Sequence, residues 1–309
     1  MGVGVGLLLA SLGMLWMWHA AGTSTAPASF GATSDCVRQP PFVHDIAGGL
    51  PGPLALATDR AARGLALVSL DGSGHSYQHE SWDDGGYLGA MALDEAGNVY
   101  LAPTPRQSLA DTPPEGATTL WRVDGHTGVM RPFVTLPGAT NERNPFGVLG
   151  LSYVCDLRLL IAGTVIGSTP GVERGGVVAL TPDGLLQARP LDGLDAMGVT
   201  VVRADGRYLL LAGSARRPVI VAVPLDAQGH ALGPPVEIID LTAGGATASE
   251  RARKLRFANG ELIVDLVSFN YTLQVNASGP SPQRRAVWRY DAHTQRWAIA
   301  RHAEQRTAP

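Results

Sequence analysis

Charged residues are scarce in this chain, and lysine is almost absent. Its 309 residues include 24 basic and 27 acidic side chains, and Lys254 is the only lysine. This near-neutral balance excludes the basic stripe that a nucleic-acid-binding surface requires. The chain has only two cysteines, too far apart in sequence to match the ligand spacing of a zinc site. The Gly-x-Ser-x-Gly turn of serine hydrolases is also absent.

The chain has no charged side chain before Asp35. Residues 1–18 form an apolar run at the lower length limit for spanning a bilayer, and an Ala-Pro-Ala tripeptide at 26–28 resembles a signal-peptidase site. A signal peptide usually has Lys or Arg ahead of its apolar run, so cleavage and retention as an anchor both stay open. We predict a periplasmic or secreted protein, with 1–22 as signal peptide or inner-membrane anchor and 23–40 as a flexible linker.

The two cysteines give a second prediction that depends on export. In an oxidising compartment Cys36 and Cys155 can form one disulfide, which would join the N-terminal segment to the body of the protein. The alternative is two unpaired thiols, with Cys155 buried beside a strand turn.

A repeat supplies the architecture. Two strands separated by a short polar turn recur five times, at intervals of about fifty residues in the later copies, a period typical of propellers, solenoids and arrays. We therefore predict an all-β fold, a β-propeller of four-stranded antiparallel blades in a single domain over 41–303, with a tail at 304–309. Five complete copies predict five blades, although the length also permits six. A β-sandwich is the main alternative. The copies begin near Leu54, Gly89, Leu149, Gly198 and Arg253.

In the first blade we predict four strands, of which the first covers 42–46 and the last covers 75–81. The last one contains His75 and His79, whose four-residue spacing would suit a metal pair on a helix. On a strand the same spacing separates them by ~13 Å, so we do not expect them to chelate a metal.

Copies three and four, Asn144–Gly163 and Asp195–Ser214, resemble the repeat of NHL-type and gluconolactonase-like propellers, a superfamily that includes strictosidine-synthase-like proteins. The chain from 36 to 297 also resembles a group of exported bacterial propellers. The lactonase resemblance implies a divalent metal at the channel mouth, held by Glu, Asn and Asp, that polarises a carbonyl for hydrolysis. Three ligand positions differ here. Pro51 replaces the Glu, Asn144 is displaced, and Gly163 and Gly213 replace the Asp.

Long polar loops are expected on one face of the propeller, where function usually resides on a rigid scaffold. Arginines on these loops could form a rim for an anionic ligand, and aromatic residues could supply its walls. The alternative is that the Asp and Asn residues make turns and that the arginines are simply solvated. The candidate ligand-binding residues at this channel mouth are Asp83, Asp84, Asn144, Glu173, Arg174, Asp195, Arg216, Arg251, Asn270 and Tyr271.

We therefore predict a cell-envelope propeller that acts as a non-catalytic ligand- or protein-binding scaffold through its long-loop face. This hypothesis involves no cofactor and no nucleic acid, and it involves the membrane only through an uncleaved leader. The alternative is a metal-dependent lactonase- or esterase-type hydrolase with a rearranged site. Asn144, Asp195 and Asn270 would then hold Ca²⁺ or another divalent ion.

Overall fold

The computed structural model describes residues 30–34, 36–37, 39–46, 49–58, 63–105, 116–141, 143–271 and 284–305. Within these residues the chain forms twenty strands in five antiparallel sheets, which confirms the predicted all-β propeller and fixes its blade number at five. The leader predicted for 1–22 lies outside this part of the chain. Among the described helices, none combines the length and the apolar character needed to cross a membrane.

The strands follow one another blade by blade, from the centre outwards. A short strand β1 (Phe30–Ala32) and a helix α1 (Phe42–Ile46) precede the first blade, which has three strands: β2 (Leu54–Ala57), β3 (Ala66–Ser69) and β4 (Ser76–Tyr77). The second blade contains β5 (Leu88–Leu93), β6 (Val99–Pro103), β7 (Thr119–Val123) and β8 (Met130–Thr135). The third contains β9 (Val148–Val154), β10 (Leu159–Thr164), β11 (Gly176–Leu180) and β12 (Leu186–Asp192).

The last two blades complete the ring. The fourth contains β13 (Ala196–Ala204), β14 (Arg207–Ser214), β15 (Val219–Leu225) and β16 (Val236–Asp240), and the fifth contains β17 (Glu250–Ala258), β18 (Glu261–Ser268), β19 (Arg284–Asp291) and β20 (Arg296–Gln305). Single turns of 3-10 helix lie at Glu80–Asp83 and Leu241–Gly244. We call β2, β5, β9, β13 and β17 the inner strands, because each is the first strand of its blade and together they surround the central channel.

The core lies between neighbouring blades. Strands β10 and β11 are buried along their whole length, because both faces of the sheet contact other blades. Their sequences are therefore continuously apolar and do not alternate. The outer strand β12 instead mixes exposed and buried residues, since it forms the rim of the molecule. One cluster of buried side chains joins blades three and four, another joins blades four and five, and two more join blades two and three and blades one and two.

Glycines allow the second strand of one blade to approach the inner strand of the next blade. A Cβ on Gly163 would lie 2.8 Å from Val199 Cγ1, and one on Gly213 would lie 2.6 Å from the Cβ of Ala252. These are the positions where the expected lactonase pattern has Asp. The close packing between blades leaves no room there for any side chain.

A still closer approach gives a test of blade packing. A Cβ on Gly150 would lie 2.0 Å from the carbonyl oxygen of Met197 in the next blade, so Gly150→Ala must force the blades apart. We expect the free energy of unfolding to fall by about 1–3 kcal/mol in urea denaturation, as is usual for overpacking. Gly171→Ala is the control, because no heavy atom lies within 4 Å of its added Cβ. Equal stability of the two variants would contradict this account of the packing.

The first blade differs from the prediction. Residues 42–46 form helix α1 instead of a strand, because they follow two prolines and bury Phe42 and Val43 between the first two blades. The predicted outer strand at 75–81 is paired only at Ser76–Tyr77, and its end becomes a 3-10 helix. His79 caps that helix, with its Nδ1 accepting a hydrogen bond from the amide of Ser81 at 3.2 Å.

Part of the segment predicted as a flexible linker is ordered. Strand β1 pairs with the last residues of β13, and the amide of Cys155 donates to the carbonyl of Thr33 at 2.8 Å. A disulfide joins Cys36 to Cys155, which directly follows β9, with the two Cα atoms 5.5 Å apart. Small residues dominate this segment, so its sequence does not predict that it forms a strand. It acquires order by completing the hydrogen bonds of an inner strand.

We call the described residues of 30–46 the N-terminal strap. Its first residue, Phe30, packs against the rings of Phe257, Tyr290 and Trp297 in the fifth blade. Its last part reaches the second blade, where the amide of Phe42 donates to the carbonyl of Gly125 at 3.0 Å. The strap therefore crosses the end of the channel at which the inner strands finish.

Candidate functional site

The five inner strands surround a cavity of about 240 Å³, the central cavity. Along β13 it lies beside Val199, whereas the strap pairs with Val202–Ala204. The cavity is therefore nearer the long-loop face, and the strap covers the opposite end of the channel. Most of the side chains in the wall are apolar, but polar atoms make up more of its accessible surface than apolar atoms do. The larger apolar residues of the wall are Leu56, Met91, Leu149, Leu151, Val199 and Leu255, and its polar side chains are Thr58, Arg253, Lys254 and Asp265.

Two consecutive cations line this wall beside an irregularity in the strand pairing. In a regular strand, neighbouring side chains point to opposite faces. The register of β17 against β18 shifts between Ala252 and Lys254, and both Arg253 and Lys254 line the cavity. Bulges of this kind redirect side chains and often occur beside functional sites.

A carboxylate lies next to these cations. Asp265 faces Lys254 across the strand pair and is only 8% exposed. Its Oδ1 accepts a hydrogen bond from Arg285 Nε at 2.6 Å, and this bond raises the pKa of the Arg285 guanidinium. The polar part of the wall and its immediate support thus contain three cations and one carboxylate.

A second group of polar residues lies on the long-loop face, around Asp195. This residue directly precedes β13 and is fully buried. Its Oδ1 accepts hydrogen bonds from the hydroxyl of Ser168 and the amide of Gly175, the latter at 2.8 Å. Its Oδ2 accepts from Arg216 Nε at 2.8 Å and from the hydroxyl of Tyr271. Four donors therefore surround one carboxylate.

Arg216 links this carboxylate to the preceding loop. The turn at 169–172 directs three carbonyls at its guanidinium, those of Thr169, Pro170 and Val172, at 2.7–3.0 Å. The guanidinium also lies 5.0 Å from the centre of the Tyr271 ring. Burial, followed by the hydrogen bond to Asp195, raises the pKa of Tyr271 above its usual range, so its hydroxyl stays protonated as a donor.

Two further predicted residues adjoin this group. Glu173 accepts the amide of Asp195 at 2.7 Å and lies 3.7 Å from Arg216 Nε. Arg251 donates to the carbonyls of Ala215 and Arg216, and burial lowers the pKa of its guanidinium. The group joins loops of blades three, four and five, and we call it the loop cluster: Ser168, Glu173, Asp195, Arg216 and Tyr271.

The other predicted site residues lie outside the loop cluster. Asn144 is fully buried, and its amide donates to the carbonyls of Val165 and Ser168 at 2.8 and 3.0 Å. These bonds hold the loop that carries Ser168, and neither of them involves Asp195. The side chains of Asp83, Asp84, Arg174 and Asn270 belong to exposed residues, the first two at the end of the 3-10 helix in the first blade.

The geometry offers no support for the metal hypothesis at Asn144, Asp195 and Asn270. The oxygens of Asp195 already accept four hydrogen bonds, and Asn144 Oδ1 accepts the amide of Phe146 at 3.1 Å. Across the described residues, no group of three or more His, Cys, Asp or Glu side chains could hold a metal ion. Binding of Ca²⁺ stays a prediction.

Comparison with known proteins gives no family. No protein-family model matches the chain, and no curated protein matches its sequence. Tricorn protease is similar in structure, with a TM-score of 0.45 and 13% identity over 80% of this chain and 25% of that one. An exo-β-1,3-galactanase from Phanerochaete chrysosporium has a TM-score of 0.44 and 12% identity, covering 82% and 54% of the two chains. A GH43 β-1,3-galactosidase has a TM-score of 0.41 and 12% identity, covering 75% and 78%.

These findings correct one prediction. The resemblance to NHL-type and gluconolactonase-like propellers is wrong, since no such family model matches and the similar structures are tricorn protease and GH43 glycoside hydrolases. The repeat in the sequence predicts the propeller blade, but it does not identify the family. This chain spans a quarter of the length of tricorn protease and about half that of the galactanase. Similarity this low does not allow an activity to be assigned to this chain.

Proposed function

We propose that this chain is an exported, non-catalytic binding protein that holds a small molecule in its central cavity. The observation that carries the proposal is the cavity itself, in which all five inner strands contribute apolar side chains and polar atoms, with the charged side chains on β17 and β18. Ligand sites are usually concave and place polar groups among apolar side chains. The apolar leader and the disulfide between Cys36 and Cys155 support export to an oxidising compartment.

The residues of the cavity favour binding over hydrolysis. Glycoside hydrolysis ordinarily requires two carboxylates on either side of the scissile bond. Among the described residues that line the cavity, Asp265 is the single carboxylate, and it is hydrogen-bonded to Arg285. In the loop cluster, the Ser168 hydroxyl donates to Asp195 and accepts the amides of Arg174 and Gly175. These contacts suit a serine that holds a loop and not one that attacks a substrate.

The size of the cavity limits the ligand. Pockets for drug-sized molecules usually measure about 300–1,000 Å³. The central cavity, at about 240 Å³, lies just below that range. We therefore expect a small metabolite and not an oligosaccharide.

Filling the cavity tests this function. Leu151 lines the wall, so Leu151→Trp should occupy the space that a ligand needs. The probes are straight-chain carboxylates from butanoate to octanoate and their primary amides, measured by thermal shift and titration calorimetry on the full chain. We expect at least one probe to bind and to raise the melting temperature. Leu151→Trp should abolish that binding.

The matched control is Leu185→Trp, since Leu185 is 67% exposed on the rim of the third blade. It introduces the same side chain far from the channel and should bind the probe as the parent protein does. Binding that survives Leu151→Trp would place the site elsewhere, and failure of every probe would reject the cavity as a site for ligands of this size.

A further inference from the structure

We infer that a second cavity, between the second and third blades, binds an organic carboxylate, with the carboxylate at Arg174 and the apolar body against the wall. This site goes beyond the proposed function, because the two cavities share no lining residue. The juxtaposition that carries the inference is a guanidinium with no partner among the described residues, in the wall of a mainly apolar cavity.

This second cavity has the size and surface of a ligand site. Its volume is about 460 Å³, within the range of about 300–1,000 Å³ that is usual for ligand pockets, and more of its accessible surface is apolar than polar. The turn after β8, the loop between β10 and β11, and the strands β11 and β12 form its wall on the long-loop face. We call it the seam cavity, and its apolar side chains are Leu136, Pro137, Ala139, Ile166 and Val178.

The charged side chains of the seam cavity leave one positive charge uncompensated. Arg189 Nη1 lies 3.9 Å from Asp192 Oδ1, so these two charges offset each other. The backbone amide of Arg174 donates to the hydroxyl of Ser168, but its guanidinium has no hydrogen bond or ion pair with another described residue. Two arginines and one aspartate therefore give the wall a net charge of +1, which matches the single charge of a carboxylate.

The types of residue also fit a carboxylate on an apolar body. Arginine offers a planar fork of donors that matches the two oxygens of a carboxylate. A phosphate dianion would bring one more negative charge than the wall can neutralise, and an ammonium group would face Arg174. Leu136 and Val178 belong to the core cluster that joins the second and third blades, so the apolar wall is fixed before a ligand arrives.

The test compares probes that differ only in the head group: 4-phenylbutanoate, 4-phenylbutanamide, 4-phenylbutylamine and 4-phenylbutyl phosphate. Titration calorimetry is done on the full, disulfide-bonded chain and on its Leu151→Trp variant, in which the central cavity is filled. We expect 4-phenylbutanoate to bind both proteins, about tenfold more tightly than 4-phenylbutanamide, since a charge-assisted hydrogen bond gains about that factor. The phosphate should bind more weakly than the carboxylate, and the amine should not bind.

Substitutions of the charged residues then assign the head group. Arg174→Met should weaken 4-phenylbutanoate binding by about tenfold and leave 4-phenylbutanamide binding unchanged. Asp192→Asn should tighten 4-phenylbutanoate binding by about two- to fivefold, because it releases Arg189 from a competing surface carboxylate. Arg296→Met is the matched control, since Arg296 is exposed on β20 of the fifth blade and does not line the seam cavity.

Filling the seam cavity assigns the apolar body. Ala139 lines the cavity and is exposed, so Ala139→Trp should occupy the space without disturbing the core and should abolish binding of both the carboxylate and the amide. Ala298→Trp is the control, because Ala298 is exposed on β20, and it should bind both probes as the parent protein does.

The outcomes separate this inference from the proposed function. Binding that is lost in Leu151→Trp and kept in Ala139→Trp would assign the probe to the central cavity and overturn the seam site alone. Equal affinity for carboxylate and amide, tighter binding of the phosphate, or an unchanged affinity in Arg174→Met would each overturn the carboxylate assignment. The absence of binding by every probe would overturn the seam site, and the central cavity would still be judged by its own probes.

Discussion

Replacing Cys36 and Cys155 with serine is expected to lower the free energy of unfolding by about 4–5 kcal/mol. The two residues are 119 positions apart, so their bond closes a long loop and removes much of the entropy of the unfolded chain. Unfolding in guanidinium chloride, with and without a reductant, measures the change. The reduced parent protein should behave like the double variant.

Single variants give the control for this prediction. If the bond itself supplies the stability, Cys36→Ser, Cys155→Ser and the double variant should all lose about the same amount, because either single change breaks it. Small losses that add in the double variant would mean that the cysteines contribute only as separate packed side chains. The strap would then be held by β1 and by the aromatic contacts of Phe30.

The central fold could be predicted from the sequence because its signal is local and repeated. Each copy places two strands around a polar turn, and the buried strands β10 and β11 read as continuous apolar runs. The strap could not be predicted in this way. Its composition is that of a linker, and its order comes from pairing with β13, about 170 residues later in the chain.

The candidate site was predictable only in part. Asp195, Arg216 and Tyr271 were expected on one face because each lies in a loop between predicted strands, and the structure brings these three together. The sequence did not predict that Ser168 contacts Asp195, because this contact depends on the path of the loop that carries Ser168. Arg253 and Lys254 were missed because they lie within a strand. The pairing of β17 with β18 shifts between Ala252 and Lys254, and no local pattern marks such a bulge.

The loop cluster carries the second large prediction. Asp195→Ala should lower the free energy of unfolding by about 3–5 kcal/mol, the usual loss when one partner of a buried ion pair is removed. The partly buried guanidinium of Arg216 would lose its carboxylate, and the hydroxyls of Ser168 and Tyr271 would lose their acceptor. Urea denaturation of the oxidised protein gives the measurement.

Asp192→Ala is the matched control. Asp192 lies three residues earlier at the exposed end of β12, and its contact with Arg189 spans 3.9 Å at the surface, so its loss should change stability little. Asp195→Asn should be intermediate, because an amide keeps one acceptor oxygen and replaces the other with a donor that faces Arg216 or Ser168. If Asp195→Ala proved as stable as Asp192→Ala, the loops of blades three, four and five would not depend on this carboxylate. Four donors converging on one buried anion would then have to be satisfied by water, which the apolar packing of Tyr271 against Val165, Met197 and Ala215 disfavours.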